Sequence, residues 1–216
     1  MSLVMHYHPL SSYCWKVLIA LYENGTAFEP RLLNLGDPDE RAAFAALWPL
    51  AKMPVLVDEA HDRTIAETSI IIEWLDRHHR GATRLLPEDP DAALDVRFWD
   101  RIYDHYVMMS MQRVVFDRLR PQDQKDPLGV EEARAALATA LDMIDAHIAD
   151  RHWATGEHFT MADCAAAPAL FYADKVQPFE RRWPNALAYL ERLKARPSFA
   201  RVLQEAEPFF QYFPTE

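Results

Sequence analysis

Over residues 1–80, apolar and polar positions switch repeatedly between the short period of a strand and the longer period of a helix. Leu3-Val4-Met5-His6-Tyr7 reads as a strand. Val17, Leu18 and Leu21 then form the apolar stripe of a helix from about Trp15 to Glu23, stopped at Asn24-Gly25. Phe28 to Leu33 predicts a second strand, and Asp39 to Leu47 a short helical piece ended by Trp48-Pro49. Met53-Pro54-Val55-Leu56-Val57-Asp58 and Arg63-Thr64-Ile65-Ala66 predict two more strands, joined by a hairpin through Glu59 to Asp62. A helix opens at Glu67-Thr68-Ser69, with Ile70 and Trp74, and Ile71 and Leu75, stacked at i,i+4. Its last turn is basic (Arg77, His78, His79, Arg80), which suits the helix dipole, and Gly81 closes it. The predicted order is β-α-β-α-β-β-α.

Residues 81–90 predict a linker that closes on Pro87, Asp89 and Pro90, and beyond it no convincing strand period appears. A long helix is expected from about Asp91 to Leu119, stopping before Pro121. Another is expected from about Val130 to Ala149, with Leu137, Leu141, Ile144 and Ile148 on one stripe. Thr160-Met161-Ala162-Asp163 is an N-terminal capping arrangement in which Asp stands where Glu is usual. The helix it opens, Cys164 to Val176, is apolar nearly all round and predicts the buried centre of a bundle, so Asp163 is expected to serve folding. Shorter helices near Asn185 to Lys194 and Ser198 to Glu205 precede an aromatic tail of Phe209, Phe210, Tyr212 and Phe213. The pattern describes a small α/β domain over residues 1–80 and an all-helical domain over residues 91–216.

Composition narrows the partners. The chain has 216 residues, half of them apolar, which is ample for a core. A formal net charge of −10 argues against nucleic acid or an anionic membrane as the main partner, yet leaves room for a small anion in a locally positive pocket. Two cysteines far apart in sequence give no disulfide scaffold and fit a reducing compartment. No apolar run reaches the length of a membrane span, and the start of the chain lacks a signal peptide's regions, so a cytoplasmic protein is expected. Nine histidines fall in no metal-ligand pattern; His78-His79 reads as the basic end of a helix, and no metal is expected.

Candidate chemistry concentrates at His8-Pro9-Leu10-Ser11-Ser12-Tyr13-Cys14, between the first strand and the first helix. Ser11 and Cys14 put a hydroxyl and a thiol beside the unpaired N–H groups of a helix start, where a thiolate is stabilised. Ser at a helix start also serves as a plain N-cap.

Three further segments extend the picture. Lys52-Met53-Pro54-Val55-Leu56, Glu67-Thr68 with Ile-Ile-Glu-Trp-Leu behind it, and Gly156 through Asp163 follow Ser11-Ser12-Tyr13-Cys14-Trp15-Lys16-Val17 in order. Together they resemble the active-site turn, the cis-proline segment, the γ-glutamyl-binding pair and the helical capping box of the cytosolic glutathione transferases, in their serine/cysteine-type classes. The resemblance covers the whole chain. It implies a thioredoxin-like α/β domain followed by an all-α helical bundle, with glutathione as co-substrate and no metal.

What the resemblance implies residue by residue has a physical sense. Ser11 would donate to the glutathione sulfur and favour its thiolate; a shift of about two pKa units corresponds to roughly 2.7 kcal/mol. Tyr7, where the tyrosine-type classes place their phenol, and Cys14 are the rivals. Cys14 stands at the second cysteine of a thioredoxin-like Cys-x-x-Cys whose first is Ser11, so no two-cysteine redox cycle is available. Met53 would pair its backbone with the ligand's cysteinyl unit, with Pro54 fixing that geometry. Glu67 and Thr68 would hold the γ-glutamyl end, and Lys52 the glycyl carboxylate or solvent. Tyr103, Tyr106 and Met109, with the aromatic tail, are expected to line the pocket of a hydrophobic electrophile. A homodimer is implied. The rival readings are an isomerase of the maleylacetoacetate type, which usually carries Cys where Tyr13 stands, and a non-catalytic binding module on the same fold.

Overall fold

The computed structural model describes residues 2–215. Strands β1 (Leu3–Tyr7), β2 (Glu29–Leu32), β3 (Val55–Asp58) and β4 (Arg63–Ala66) form one sheet in the order β2-β1-β3-β4. β1 runs parallel to β2 and antiparallel to β3, and β4 is antiparallel to β3. The parallel pair requires a crossover, which helix α1 (Ser12–Glu23) supplies. Register places Met5 opposite Leu56 and Leu56 opposite Ile65, so one apolar row crosses the sheet beneath α1 and α3 (Thr68–His78). Val55 points to the other face, where it packs with Leu33 and with Phe44 of α2 (Pro38–Leu47).

The expected element order holds, with boundaries moved for local reasons. α1 begins at Ser12 because Ser11 is its N-cap, in extended conformation (φ −76°, ψ 114°). β3 begins only at Val55, because Pro54 has no N–H for a ladder and the Met53–Pro54 bond is cis. The second strand is likewise shorter than Phe28 to Leu33.

The helical part comprises α4 (Pro90–Arg101), α5 (Met109–Arg118), α6 (Pro127–Ile148), α7 (Met161–Val176), α8 (Pro184–Lys194) and α9 (Pro197–Ala206). The expected long helix from Asp91 to Leu119 winds as π-helix over Ile102–Met108, between α4 and α5. α6 starts ahead of Val130 because Asp126 caps it, accepting from Gly129 N at 2.8 Å. α7 is the buried centre, packed against α1, α4, α5 and α8. Asp163 is fully buried in its first turn. The carboxylate accepts from Thr160 N and Ala154 N, both at 2.8 Å, and from Tyr189 Oη at 2.5 Å.

Aromatic packing and ion pairs join the α/β part to the helices. Trp15 of α1 is fully buried, with its ring centroid 4.8 Å from Tyr172 and 5.2 Å from Phe171 on α7, and 6.0 Å from Phe210 of the tail. Glu23 at the end of α1 is paired with Arg196 and accepts from Ser198 Oγ at 2.8 Å and Thr83 Oγ1 at 3.1 Å. The linker is pinned too: Thr83 N donates to Asn24 Oδ1 at 2.8 Å. At Gly81 a Cβ would meet the Asn24 side chain at 2.4 Å, so the close approach requires glycine.

Two stability outcomes follow from these contacts. Asp163→Ala leaves two buried N–H groups and a phenol without their acceptor and is expected to cost about 3 kcal/mol in urea unfolding. Burial raises the Glu23 carboxyl, but Arg196, Ser198 and Thr83 outweigh it and hold it below its ordinary 4.5. A carboxyl depressed by folding stabilises above the unfolded value and loses that contribution as pH falls through the folded one. Glu23→Gln should therefore flatten the acid limb of the melting-temperature profile measured by calorimetry; an unchanged acid slope would contradict the clamp.

Candidate active site

The chain leaves β1 at Tyr7 and turns through His8, Pro9 and Leu10 into α1. Ser11 N donates to His8 O at 3.0 Å, Trp15 Nε1 donates to Pro9 O, and Tyr172 Oη of α7 donates to Leu10 O at 2.9 Å. The loop is thus held from both parts of the fold. Ser11 Oγ accepts from Cys14 N at 3.3 Å, and a hydroxyl that accepts in this way keeps its own proton for donation. No acidic residue stands in the first turn of α1, so the positive end of its dipole is not neutralised locally.

Two cavities meet at this turn. One, of about 500 Å³, is mainly apolar and is lined by Ser11, Leu35, Met53, Val115, Phe116 and Phe213 among others. The second, of about 300 Å³, brings together Lys52, Met53, Pro54, Glu67 and Thr68 with Tyr13, Arg101 and Asp104. Met53 and Gln112 line both and form the seam. Glu67 is the N-cap residue of α3 and holds the left-handed region (φ 67°), a conformation non-glycine residues occupy at a cost. Its side chain makes no capping hydrogen bond. The first-turn N–H groups of α3 therefore lie beside the polar chamber together with Thr68.

Beneath that chamber lies a buried ionic network. Lys16 of α1, 1% exposed, reaches Asp100 Oδ1 at 2.5 Å, Asp104 Oδ2 at 2.7 Å and Ser69 Oγ at 2.9 Å. Arg101 Nη2 adds contacts to Asp100 Oδ2 at 2.6 Å and Asp104 Oδ2 at 2.8 Å. Burial alone would raise the Asp100 carboxyl, yet the Lys16 charge and the hydrogen bonds hold it below the usual range. Burial raises the Asp104 carboxyl against the Lys16 charge, and the like charge of Asp100 adds to that rise. The Asp104 main-chain carbonyl accepts from Tyr13 Oη at 3.3 Å.

The remaining residues singled out in the sequence fall elsewhere. Tyr7 lines a separate small pocket with Glu205 and Phe209, and lies along neither cavity. Cys14 is fully buried, and burial pushes its thiol up to about 12. Tyr103 is also fully buried, its phenol raised by burial and by the charge of Asp163, so it cannot line a ligand pocket. Tyr106 is exposed and lines neither cavity, while Met109 lies along the polar one. The apolar lining comes further along α5. Met111, Gln112, Val115, Phe116 and Leu119 line the apolar cavity at helical spacing, and that periodicity is the available signal. Arg101, Asp104 and Tyr13 carried no comparable signal.

Neither thiol should react in the folded protein. Cys164 is fully buried like Cys14, and burial raises its thiol well above the ordinary range. Ellman's reagent is expected to release no thiolate dye from the native chain and to titrate both cysteines after denaturation; a fast native thiol would revise the burial of Cys14.

A four-stranded mixed sheet flanked by helices, followed by an all-helical part, is a thioredoxin-like domain with a helical partner. The comparisons agree. Residues 5–83 match the family model described as Glutathione S-transferase, N-terminal domain, and residues 127–192 the one described as Glutathione S-transferase, C-terminal domain. Glutathione S-transferase 3 of Zea mays is 32% identical over 207 residues, covering 90% of this chain and 90% of its own. A glutathione S-transferase structure from Methylobacillus flagellatus with GSH bound superposes with a TM-score of 0.85 at 26% identity, covering 93% of this chain and 98% of that one. One from Methylobacterium radiotolerans in complex with glutathione sulfonate gives 0.82 at 30% identity, covering 94% of each. The chain belongs to the glutathione S-transferase family, and is accordingly a transferase with glutathione as co-substrate. No helix among the described residues is long and apolar enough to cross a membrane.

Proposed function

We infer that the protein is a cytoplasmic glutathione S-transferase of the serine type that joins the glutathione sulfur to an electrophilic carbon of a hydrophobic small molecule. The observation that carries this reading is the position of Ser11, which caps the start of α1 and lines the apolar cavity where it meets the polar one. Residues 1–80 act as the glutathione-binding domain and residues 91–216 carry the electrophile site. The tripeptide occupies the polar chamber. Glu67, Thr68 and the first amides of α3 take its γ-glutamyl end, the Met53 main chain pairs with its cysteinyl unit, and Lys52 takes the glycyl carboxylate. The sulfur then points past Ser11 into the apolar chamber, where the Ser11 hydroxyl and the α1 dipole favour the thiolate.

In the reaction the thiolate forms a carbon–sulfur bond as the electrophile's leaving group departs with its electron pair, or as an activated double bond takes up the pair and then a proton. The apolar walls exclude water and hold the electrophile. Tyr13 stands where the isomerase type usually carries Cys, so the conjugating reading is preferred. A homodimer is part of the proposal. The exposed Ile70 on α3 and Leu94 and Phe98 on α4 flank the Glu73–Arg97 pair (2.7 Å) and offer an apolar face.

Ser11→Ala is expected to lower kcat/KM for an activated aryl chloride by about 100-fold, equivalent to roughly 2.7 kcal/mol. The same variant should raise the pKa of bound glutathione, read from thiolate absorbance, while retention on immobilised glutathione persists. Full activity in Ser11→Ala with loss in Tyr7→Phe would move the role to Tyr7. No retention and no activity in the wild type would remove the enzyme reading.

A further inference from the structure

The end of the sheet remote from the cleft holds a second cluster of reactive side chains. β3 starts beside cis-Pro54 and ends at Asp58, which lies opposite Leu3 at the start of β1. His61 stands in the hairpin between β3 and β4, and His79 is the C-cap of α3. The Asp58 carboxylate is 1% exposed. His61 Nδ1 lies 2.9 Å and His79 Nε2 2.6 Å from its Oδ2, and the three atoms are within 4.8 Å of one another.

That oxygen is over-subscribed. Trp74 Nε1 donates to the same Oδ2 at 2.9 Å, while Ala60 N donates to Oδ1 at 3.1 Å. A carboxylate oxygen offers about two lone-pair sites, and here three nitrogens converge on one oxygen while the other takes a single amide. The crowding is relieved if the imidazoles present lone pairs toward a shared cation in place of protons toward Oδ2. His61 would then carry its proton on Nε2 and His79 on Nδ1. Trp74 and the Ala60 amide already hold the carboxylate from behind, as outer partners of a metal ligand do. His61 is exposed and His79 half-buried, so an ion has a way in.

We propose that Asp58, His61 and His79 bind one divalent transition-metal ion, zinc foremost, with water completing its coordination. One carboxylate and two imidazoles suit borderline ions such as zinc, cobalt and nickel, whereas calcium and magnesium require oxygen ligands throughout. The ion has no part in the thiol chemistry. It clips the β3–β4 hairpin to the end of α3, joining the far ends of the two elements whose near ends carry Pro54 and Glu67.

The test uses untagged, metal-stripped full-length protein without glutathione, which itself chelates metals. Calorimetric titration with zinc should show one ion per chain and thermal unfolding should shift upward at saturation. His61→Gln, in an exposed hairpin, should keep the metal-free melting temperature while loosening zinc binding by about tenfold or more and losing the shift. His158→Gln, at an exposed position elsewhere, should bind like the wild type. Absence of stoichiometric binding, or equal affinity in His61→Gln, overturns the site. Anomalous diffraction at the zinc edge gives an independent reading: density among Asp58, His61 and His79 supports the site, and density only elsewhere refutes it.

Discussion

The buried ammonium of Lys16 is the constraint on which the rest of the structure depends. An unpaired ion at that depth would cost several kcal/mol in lost hydration, so the fold must bring opposite charge to it. It does so with Asp100 and Asp104, seats Ser69 against the same nitrogen, and balances the second carboxylate with Arg101. The four charges sum to zero, which makes their burial tolerable. Lys16 sits just inside α1, Ser69 just inside α3, and the acids at the junction of α4 with the π-helical turns. One network therefore fixes the relative positions of the helix starts that carry Ser11 and Thr68, and of the wall that faces them.

On the proposed reading, a chain of net charge −10 takes an anionic tripeptide at two helix starts. The N-terminal ends of α1 and α3 both meet the cleft, and neither has an acidic residue in its first turn. Lys52 and Arg101 add positive charge at the polar chamber. Glu67 and Asp104 line the same chamber, so its side-chain charges balance and the attraction for an anion rests on the two helix ends.

How much of this was legible in the sequence depends on the range of the interaction. The strands, the Ser11 cap and the buried α7 with its Asp163 cap are local patterns, and the sequence shows each one; the cis geometry at Pro54 is legible only through the resemblance. The burial of Lys16 is not legible locally, because its carboxylate partners Asp100 and Asp104 lie far along the chain. Tyr103 reads like a pocket residue since an aromatic on a helix has the same signature whether it faces a cavity or a core. Only neighbours distant in sequence, such as Tyr189 and Asp163, decide which. The Asp58 cluster was hidden for a related reason: His79 suits a helix C-terminus, Asp58 a strand end and His61 a hairpin, so no local rule is broken. Their convergence is set by the β3–β4 register and the length of α3.

The two chambers differ in what else their residues do, and that difference bears on specificity. In the polar chamber Asp104 pairs with the buried lysine, Arg101 pairs with the same carboxylate, Pro54 leads into β3, and Thr68 is buried at a helix start. Changing any of these would disturb packing as well as the proposed binding. In the apolar chamber Phe116 is 56% exposed and Leu119 65%, and Phe213 belongs to the C-terminal tail. Phe116 and Leu119 contribute little to the core and can change with small effect on stability, whereas Phe213 stacks on Tyr172. On the proposed reading, the fold couples thiol binding to its own integrity while leaving exposed positions of the electrophile wall free to vary. If the apolar chamber holds the second substrate as proposed, its identity is written mainly in the exposed positions of α5, and only weakly in the residues that make the chain a member of its family.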